Sequence, residues 1–264
     1  MNNLKHILKR LIRYAQTPLI LHDWMKYKKA ILQSSKAGTP ARFSLNISDA
    51  YPCVKDKTIT TGFDRHYVFH TAWAARKVKE INPSFHTDIS SSLYFCGIVS
   101  AFIPVKFYDY RPAELNLSNL ESKPGNLMNL PFEDNSLESI SCMHTIEHIG
   151  LGRYGDPIDP EADLKAIREL IRVTKPGGSI LFVTPIGGTA KIEYNAHRIY
   201  TYIYIVEYFK DLELVEFSLI PENARNDRDD KNAQNGGILI NATKSQADAE
   251  NYGCGCFWFK KKIS

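Results

Sequence analysis

Long apolar runs are missing from this sequence. No segment approaches the roughly 20 consecutive apolar residues that a membrane-spanning helix needs, so we expect no membrane span. Basic residues interrupt the apolar positions near the N-terminus, and this pattern does not predict a secretory signal peptide. A cytoplasmic location is therefore expected by default.

Cysteine and excess charge are also scarce. The five cysteines are an odd number at irregular spacing, which argues against a disulfide framework. Cys254 and Cys256 would share one face of a strand. Because no other cluster of metal-ligand residues accompanies them, we interpret them as packed thiols and expect no metal site. The one alternative set of ligands is Glu147, His148 and Asp156. The formal net charge of +4 does not indicate a nucleic-acid partner, and we expect none.

What the sequence does contain is enough apolar material for one full domain. Its 264 residues, 44% of them hydrophobic, suit one α/β domain with additions. A weakly patterned stretch that contains Ser, Gly and Pro separates residues 1–33 from the rest. We therefore predict a basic helical segment with its linker over residues 1–60 and a main domain over residues 61–264.

Residues 2–33 have the pattern of a basic amphipathic helix that Pro18 ends or kinks. A second helical piece is predicted over residues 21–32. Such a segment can pack on a domain with a solvated basic face, or it can lie on an anionic membrane. The second alternative predicts peripheral contact with the inner face of a membrane through residues 1–32.

The stretch of residues 134–188 has the clearest pattern in the chain. A strand-like run over residues 137–146 precedes a loop rich in Gly, Pro and Asp, residues 150–160. Apolar spacing then predicts a helix over residues 161–173, which Lys-Pro-Gly-Gly ends. The apolar residues 179–184 are typical of a buried parallel strand. Strand, helix and strand in this order form a βαβ unit.

Weaker patterns on either side extend this alternation of helices and strands. The further predicted elements are a helix that ends before Pro83, strands over residues 85–89 and 105–110, a helix over 200–209, and strands over 213–220, 236–240 and 254–260.

The segments LPFEDNS, EHI and RELIRVTKPGGSILFVTPIG, in this order, resemble the second half of class I S-adenosylmethionine (SAM) dependent methyltransferases. The loop EHIGLGRYGDPIDP is similar to that of a smaller, uncharacterised methyltransferase-like group associated with surface-polysaccharide gene clusters. The resemblance spans residues 62–218. It implies a three-layer, Rossmann-like α/β sheet of seven mostly parallel strands, with the N-terminal helical segment added, and SAM as the cofactor.

The resemblance also implies cofactor-binding positions at the ends of the strands. The family's acidic residue followed by G-x-G-x-G corresponds here to Asp88 followed by serines, and serine keeps part of the close backbone approach that glycine allows. A carboxylate at the end of the second strand would accept hydrogen bonds from the ribose hydroxyls. The expected cofactor contacts are Asp88, Ser90, Ser92, Asp109, Tyr110, Asn126, Leu127 and Met143. Further upstream, Tyr67 and His70 either contact a ligand or pack in the core.

The candidate catalytic residues follow the fourth strand. Transfer of a methyl group to a hydroxyl needs a base, and a histidine oriented by a carboxylate suits that role. His148 with Glu147 is the first candidate pair, and His197 is the alternative base; otherwise Glu147 and His148 only bond backbone groups of the next turn. The expected acceptor contacts in the long loop are Arg153, Tyr154 and Asp156. The resemblance implies further contacts after the fifth strand, at Asn195 and Arg198.

Three functions are consistent with these patterns. The leading hypothesis, which the resemblance implies, is a SAM-dependent O-methyltransferase that acts on a sugar or glycan intermediate of surface polysaccharide, including a lipid-linked one. The second is a transferase on the same fold that uses a nucleotide sugar or another donor, because Asp109 could hold any nucleoside. The third is a non-catalytic binding protein.

Overall fold

The computed structural model describes residues 20–38, 40, 42–51, 53, 56–222 and 237–263. The chain divides into two units, Met1–Gly62 and Phe63–Ser264. In the first unit, residues 20–36 form helix α1, which confirms the helix predicted over residues 21–32. The kink predicted at Pro18 lies outside the described residues. No helix within the described ranges is long and apolar enough to cross a lipid bilayer.

The second unit is built on a seven-stranded sheet. The strands of this unit are β1 (His86–Ile89), β2 (Val105–Asp109), β3 (Leu120–Pro124), β4 (Leu137–Met143), β5 (Thr174–Ile186), β6 (Lys191–Glu193), β7 (His197–Ile199), β8 (Leu212–Ile220) and β9 (Gly253–Lys261). The order in the sheet is β3-β2-β1-β4-β5-β9-β8, and β6 pairs with β7 in a separate ribbon. The first five strands are parallel, and β9 runs antiparallel between β5 and β8. This arrangement confirms the predicted Rossmann-like sheet.

Helices cover both faces of this sheet, as a three-layer architecture requires. They are α2 (Arg65–Ile81), α3 (Leu93–Val99), α4 (Ala162–Val173), α5 (Tyr202–Tyr208) and α6 (Lys244–Asp248). Helices α4 and α5 pack on one face and α2 and α3 on the other. Strand β5 serves both cores, because Phe182 faces the first core and its neighbours Leu181 and Val183 face the second. Burial on both faces explains the continuous apolar run of this strand.

Three predicted boundaries differ from the structure. Strand β5 begins at Thr174, because Lys-Pro-Gly-Gly forms an irregularity within the ladder to β4 instead of a separate turn. Strand β4 ends at Met143, because His144 takes a left-handed φ of 53° and the chain then enters a 3-10 turn, Ile146–His148. The strand predicted over residues 236–240 is reduced, in the described residues 237–240, to a single bridge between Leu219 and Leu239.

Candidate active site at the carboxyl edge of the sheet

The strand order reverses between β1 and β4, and this is where open α/β sheets form a crevice for ligands. A cavity of about 370 Å³ lies at this edge. Residues that follow three neighbouring parallel strands line it: Ser90 after β1, Asp109 at the end of β2, and His144 after β4. The sheet topology therefore brings together side chains that are far apart in the sequence.

Ser90 makes the sharp turn that leaves β1. Its φ is 58°, in the left-handed region that glycine adopts most easily. Its backbone N–H donates to the carbonyl of Tyr108 at 2.8 Å, and its own carbonyl accepts from the hydroxyl of Thr145 at 3.0 Å. A serine thus adopts a backbone conformation that favours glycine.

Two polar side chains opposite this turn are held by neighbouring backbone groups. Oδ1 of Asp109 accepts from the N–H of Arg111 at 2.7 Å, and Oδ1 of Asn126 accepts from the N–H of Met128 at 3.0 Å. Next to Asn126, a Cβ on Gly125 would lie 2.9 Å from Cβ of Tyr108, so only glycine fits there without a shift. These contacts fix Asp109 and Asn126 on the wall of the cavity.

Asp88 lies in the core and does not line the cavity. Its carboxylate is fully buried and accepts from the N–H of Ser91 at 3.0 Å and from the hydroxyl of Ser141. That hydroxyl in turn lies 2.8 Å from Nε2 of His86, which is also fully buried. Burial raises the pKa of Asp88 to about 6 and lowers the pKa of His86 to about 3.

The cofactor residues expected from the sequence therefore fall into two groups. Those that line the 370 Å³ cavity are Ser90, Asp109, Tyr110, Asn126 and Leu127. Asp88, Ser92 and Met143 lie elsewhere: Ser92 directly precedes α3, and Met143 is buried in the core beneath α2 and α3. Asp88 and the N–H of Met143 both bond to Ser91, so these two residues hold the turn that follows β1.

A second cavity, of about 400 Å³, lies beside the first. The residues that line both cavities are Tyr67, His144, His148 and Tyr154. The residues that line only the second cavity include Glu147, Arg153, His197, His66 and Tyr252. Two adjoining cavities with a shared wall can hold two reactants side by side.

Glu147 lies between two histidines of this wall. Its Oε1 is 2.9 Å from Nδ1 of His144 and 3.8 Å from Nε2 of His148. The side chain is 1% exposed, and its Oε2 has no hydrogen-bond partner among the described residues. A buried carboxylate in this position can orient one imidazole and stabilise positive charge on the other.

The tautomer of His148 follows from its backbone contact. Nδ1 lies 2.7 Å from the carbonyl oxygen of Ala196, which can only accept, and 3.2 Å from Nη1 of Arg153, which can only donate. Because the contact with Ala196 is much shorter, we assign the proton to Nδ1. Nε2 therefore has the free lone pair in the neutral ring. Burial lowers the pKa of His148, although Glu147 acts in the opposite direction. The side chain is thus neutral near pH 7 and can accept a proton at Nε2.

Hydrogen bonds within the loop of residues 150–160, and from this loop to the β6–β7 ribbon, fix its conformation. The carboxylate of Asp156 accepts from the N–H groups of Gly150 at 2.7 Å and Tyr154 at 3.2 Å. Burial would raise the pKa of Asp156, but these N–H groups bring it below its usual value. Arg153 donates to the carbonyl of Ala196 at 2.9 Å. These bonds hold Tyr154 against both cavities.

The expected acceptor residues after β5 are distributed differently. Arg198 is buried and donates to the carbonyl of Ile149 at 2.6 Å, with Asp163 at 3.6 Å from its Nε. It therefore supports the start of the loop. Asn195 is exposed and lines neither cavity, whereas His197 lines the second cavity and lies 3.4 Å from Glu193.

Sequence reasoning missed part of the second cavity. Three of its residues were not among the expected site residues: His66 in the first turn of α2, His144 after β4 and Tyr252 before β9. Their rings lie together. The ring centroids of His66 and His144 are 5.5 Å apart, and those of His66 and Tyr252 are 5.2 Å apart. Burial lowers the pKa of His66 to about 4. The aromatic-rich start of α2 was the one sequence signal that pointed to this cavity. Of the two residues considered there, Tyr67 lines both cavities, whereas His70 is buried in the core.

Comparison with known proteins gives the following matches. A family model described as Caenorhabditis protein of unknown function, DUF268, matches residues 129–236. No curated protein matches this chain. The matched family has no assigned function, so it names no activity for this chain.

Similar solved structures include three proteins of low sequence identity. The YcgJ protein from Bacillus subtilis is 15% identical and has a TM-score of 0.48, with 74% of this chain and 99% of that chain covered. The 1,6-didemethyltoxoflavin-N1-methyltransferase from Burkholderia thailandensis, solved with S-adenosylhomocysteine, is 9% identical and has a TM-score of 0.48. The match covers 74% of this chain and 79% of that chain. A SAM-dependent methyltransferase from Thermotoga maritima is 14% identical and has a TM-score of 0.47. The match covers 75% of this chain and 94% of that chain.

Proposed function

We propose that this protein is a SAM-dependent methyltransferase that transfers a methyl group to a hydroxyl of a sugar or glycan. One observation carries the proposal. Ser90, Asp109 and Asn126, which the resemblance assigns to the cofactor, line a single cavity at the point where the strand order reverses. Beside that cavity lies a second one with a histidine on the shared wall.

The residues present fit the cofactor. The left-handed turn at Ser90 lets the backbone approach a ligand closely. Oδ1 of Asp109 is engaged by a backbone N–H, so the other carboxylate oxygen is the one that accepts from ribose hydroxyls. When bound, SAM would supply an electrophilic methyl group for the acceptor oxygen, with S-adenosylhomocysteine as the leaving group.

His148 is the proposed general base. Its Nε2 carries the lone pair, because Nδ1–H is bonded to Ala196. The proton of the acceptor hydroxyl passes to Nε2, and the buried carboxylate of Glu147, 3.8 Å away, stabilises the imidazolium that results. His197 lines the same cavity and remains the alternative base.

The lining of the second cavity supports a polyhydroxylated acceptor. Tyr67, Tyr252 and Tyr154 supply aromatic faces, and Arg153 with Glu147 supplies a donor and an acceptor. Aromatic faces combined with a few placed polar groups are typical of sites for small ligands such as sugar rings. The assignment to surface polysaccharide rests on the resemblance of the loop at residues 147–160. A lipid-linked acceptor would also give the basic residues 1–32 a membrane surface to contact.

Calorimetric titration with SAM and with S-adenosylhomocysteine tests this function. We expect micromolar binding of both to the wild-type protein. Asp109→Ala should weaken binding by about 10-fold to 100-fold, because it removes hydrogen bonds to a charged group. Asp211→Ala, an exposed acidic residue that lines neither cavity, is the matched control. A folded protein that binds neither compound, or an Asp109→Ala variant that binds as tightly as wild type, would reject the proposal.

Arg111 favours a second candidate function, a transferase that uses a nucleotide sugar. Its guanidinium lines the first cavity next to Asp109 and stacks 4.8 Å from the ring centre of Tyr154. A guanidinium suits a diphosphate, and SAM has none. A thermal-shift screen of nucleotide sugars separates the two functions: stabilisation that Arg111→Gln removes, with no response to SAM, would favour the second.

A further inference from the structure

Three metal-ligand side chains from distant parts of the chain meet beside the second cavity. They are His66 at the start of α2, His144 after β4 and Cys254 in β9. One ligand atom from each lies within 4.8 Å of the other two. Both histidines line the second cavity, and Cys254 is fully buried behind them.

The separation of one pair already matches a metal site. Nε2 of His144 lies 3.4 Å from Sγ of Cys254. Around a tetrahedral zinc ion with Zn–N of about 2.1 Å and Zn–S of about 2.3 Å, a nitrogen and a sulfur ligand are about 3.6 Å apart. His144 and Cys254 therefore already have the separation that the metal requires, and the ligand atom of His66 lies within 4.8 Å of both.

A buried carboxylate prepares His144 for this role. Oε1 of Glu147 accepts from Nδ1 of His144 at 2.9 Å, which places the lone pair of the neutral ring on Nε2, toward Cys254. A carboxylate that accepts from the second nitrogen of a metal-bound histidine is a common feature of zinc sites, where it fixes the tautomer and raises the basicity of the ligand.

We propose that His66, His144 Nε2 and Cys254 Sγ bind one zinc-type transition metal ion. Two imidazoles and one thiol suit zinc and disfavour magnesium or calcium, which prefer oxygen ligands. Binding releases the thiol proton of Cys254 to solvent. Three protein ligands leave the fourth position open, and since both histidines line the second cavity, that position faces it and can take water or an acceptor heteroatom. The site stands on its own geometry, whatever reaction the protein catalyses.

The competing interpretation is a metal-free contact in which Cys254 S–H donates to Nε2 of His144. Titration with Co²⁺ distinguishes the two, because thiolate coordination gives an intense charge-transfer absorption that a thiol cannot give. The full chain is used, freed of metal with a chelator, in a Cys53→Ser background, because Cys53 is an exposed thiol that could bind cobalt by itself. We expect one equivalent of Co²⁺ to produce the band and one equivalent of Zn²⁺ to remove it.

Two cysteine variants form a matched pair. Cys254→Ser should lose the charge-transfer band, whereas Cys256→Ser should keep it, since Cys256 is equally buried on the same strand but is not a member of the ligand group. A band of unchanged intensity in Cys254→Ser, or its absence from the folded wild-type protein, would overturn the proposal.

Two further variants keep the test decisive if Cys254→Ser does not fold. His66→Ala removes a half-buried ligand and should weaken Co²⁺ binding at least 10-fold. Glu147→Gln should weaken it by about 10-fold to 100-fold, because the carboxylate no longer supports His144. Circular dichroism confirms that each variant is folded. Unchanged affinity in a folded His66→Ala protein would exclude the three-ligand site.

Discussion

The carbonyl oxygen of Ala196 lies 2.7 Å from Nδ1 of His148. The same oxygen accepts from Arg153 at 2.9 Å, so two donors from the loop region converge on one carbonyl of the β6–β7 ribbon. This contact sets the tautomer of His148 and directs the free lone pair of Nε2 away from the ribbon. The proposed base is therefore positioned by backbone that is 48 residues away in the sequence.

The pKa of His148 should lie below its ordinary value of 6.5, because burial disfavours the charged ring. The charged and titratable groups that face it are Glu147, Arg153, His197 and Tyr154. An NMR titration of the ring protons in chelator-treated protein, assigned with His148→Asn, measures it. A pKa above 6.5 would contradict this prediction.

The same pKa sets the expected pH dependence of catalysis. If neutral His148 is the base, kcat/KM should rise with pH through this pKa and level off above it. His148→Gln should lose most of the turnover and retain SAM binding. The variant His197→Gln tests the alternative base. The true base is the residue whose replacement abolishes the rise of kcat/KM with pH.

Replacements at Ser90 should follow its left-handed backbone. Ser90→Gly should be close to neutral in stability, because glycine adopts a φ of 58° without strain. Ser90→Val should lower the free energy of unfolding by about 1–3 kcal/mol, because a β-branched side chain is strained there. Ser92→Val, at a φ of −67° without a side-chain capping bond, is the control and should cost less. Urea denaturation measures all three, and equal losses for the two valine variants would contradict the argument.

Gly150 and Gly155 form a second matched pair. Both have a positive φ, of 78° and 84°. A Cβ at Gly150 would lie 2.1 Å from the carbonyl oxygen of Asp159, whereas a Cβ at Gly155 meets nothing within 4 Å. Gly155→Ala should therefore cost about 1 kcal/mol of backbone strain, and Gly150→Ala should cost more and displace the loop. Thermal denaturation and SAM titration of both variants measure the difference; similar losses would show that the contact with Asp159 is unimportant.

The buried carboxyl of Asp88 should make stability depend on pH. Its pKa in the folded protein, about 6, is above the unfolded value of 3.8, so the folded state holds the proton more tightly. This group's contribution to the free energy of unfolding therefore falls as pH rises from 3.8 to about 6, by up to about 3 kcal/mol. His86 contributes in the opposite direction, because its pKa is lowered.

Comparison of wild type with Asp88→Asn isolates the contribution of Asp88. The asparagine oxygen can still accept from the N–H of Ser91, but the side chain no longer titrates. Relative to wild type, the variant should gain stability as pH rises through this window. Urea denaturation at the two ends of this window, near pH 3.8 and just above pH 6, measures the difference. A constant difference between the two proteins would show that Asp88 does not titrate there.

Local sequence patterns were sufficient for most elements and failed where backbone conformation breaks a pattern. The spacing of apolar residues located α4, and the run around Phe182 located β5, because side-chain periodicity reports which faces are buried. The end of β4 was misjudged, because a left-handed His144 interrupts an apolar run that continues through Ile146. The extra length of β5 was missed, because pairing with β4 resumes across the Lys-Pro-Gly-Gly segment.

The sequence by itself determined most of the alternation of helices and strands. With the family resemblance, it also predicted that Ser90, Asp109 and Asn126 lie together, because they stand at the ends of strands and parallel strands end at one edge. Only the tertiary structure decided which residues form the second cavity. His144 and Cys254 are 110 residues apart and come from adjoining regions of the folded unit, so no spacing in the chain signals their contact. From the sequence, the pair Cys254 and Cys256 predicts packed thiols. In the structure Cys254 lies beside His144 and His66, which makes it a candidate metal ligand. The physical reason is that periodicity encodes burial, whereas a site depends on which buried or half-buried side chains the packing brings face to face.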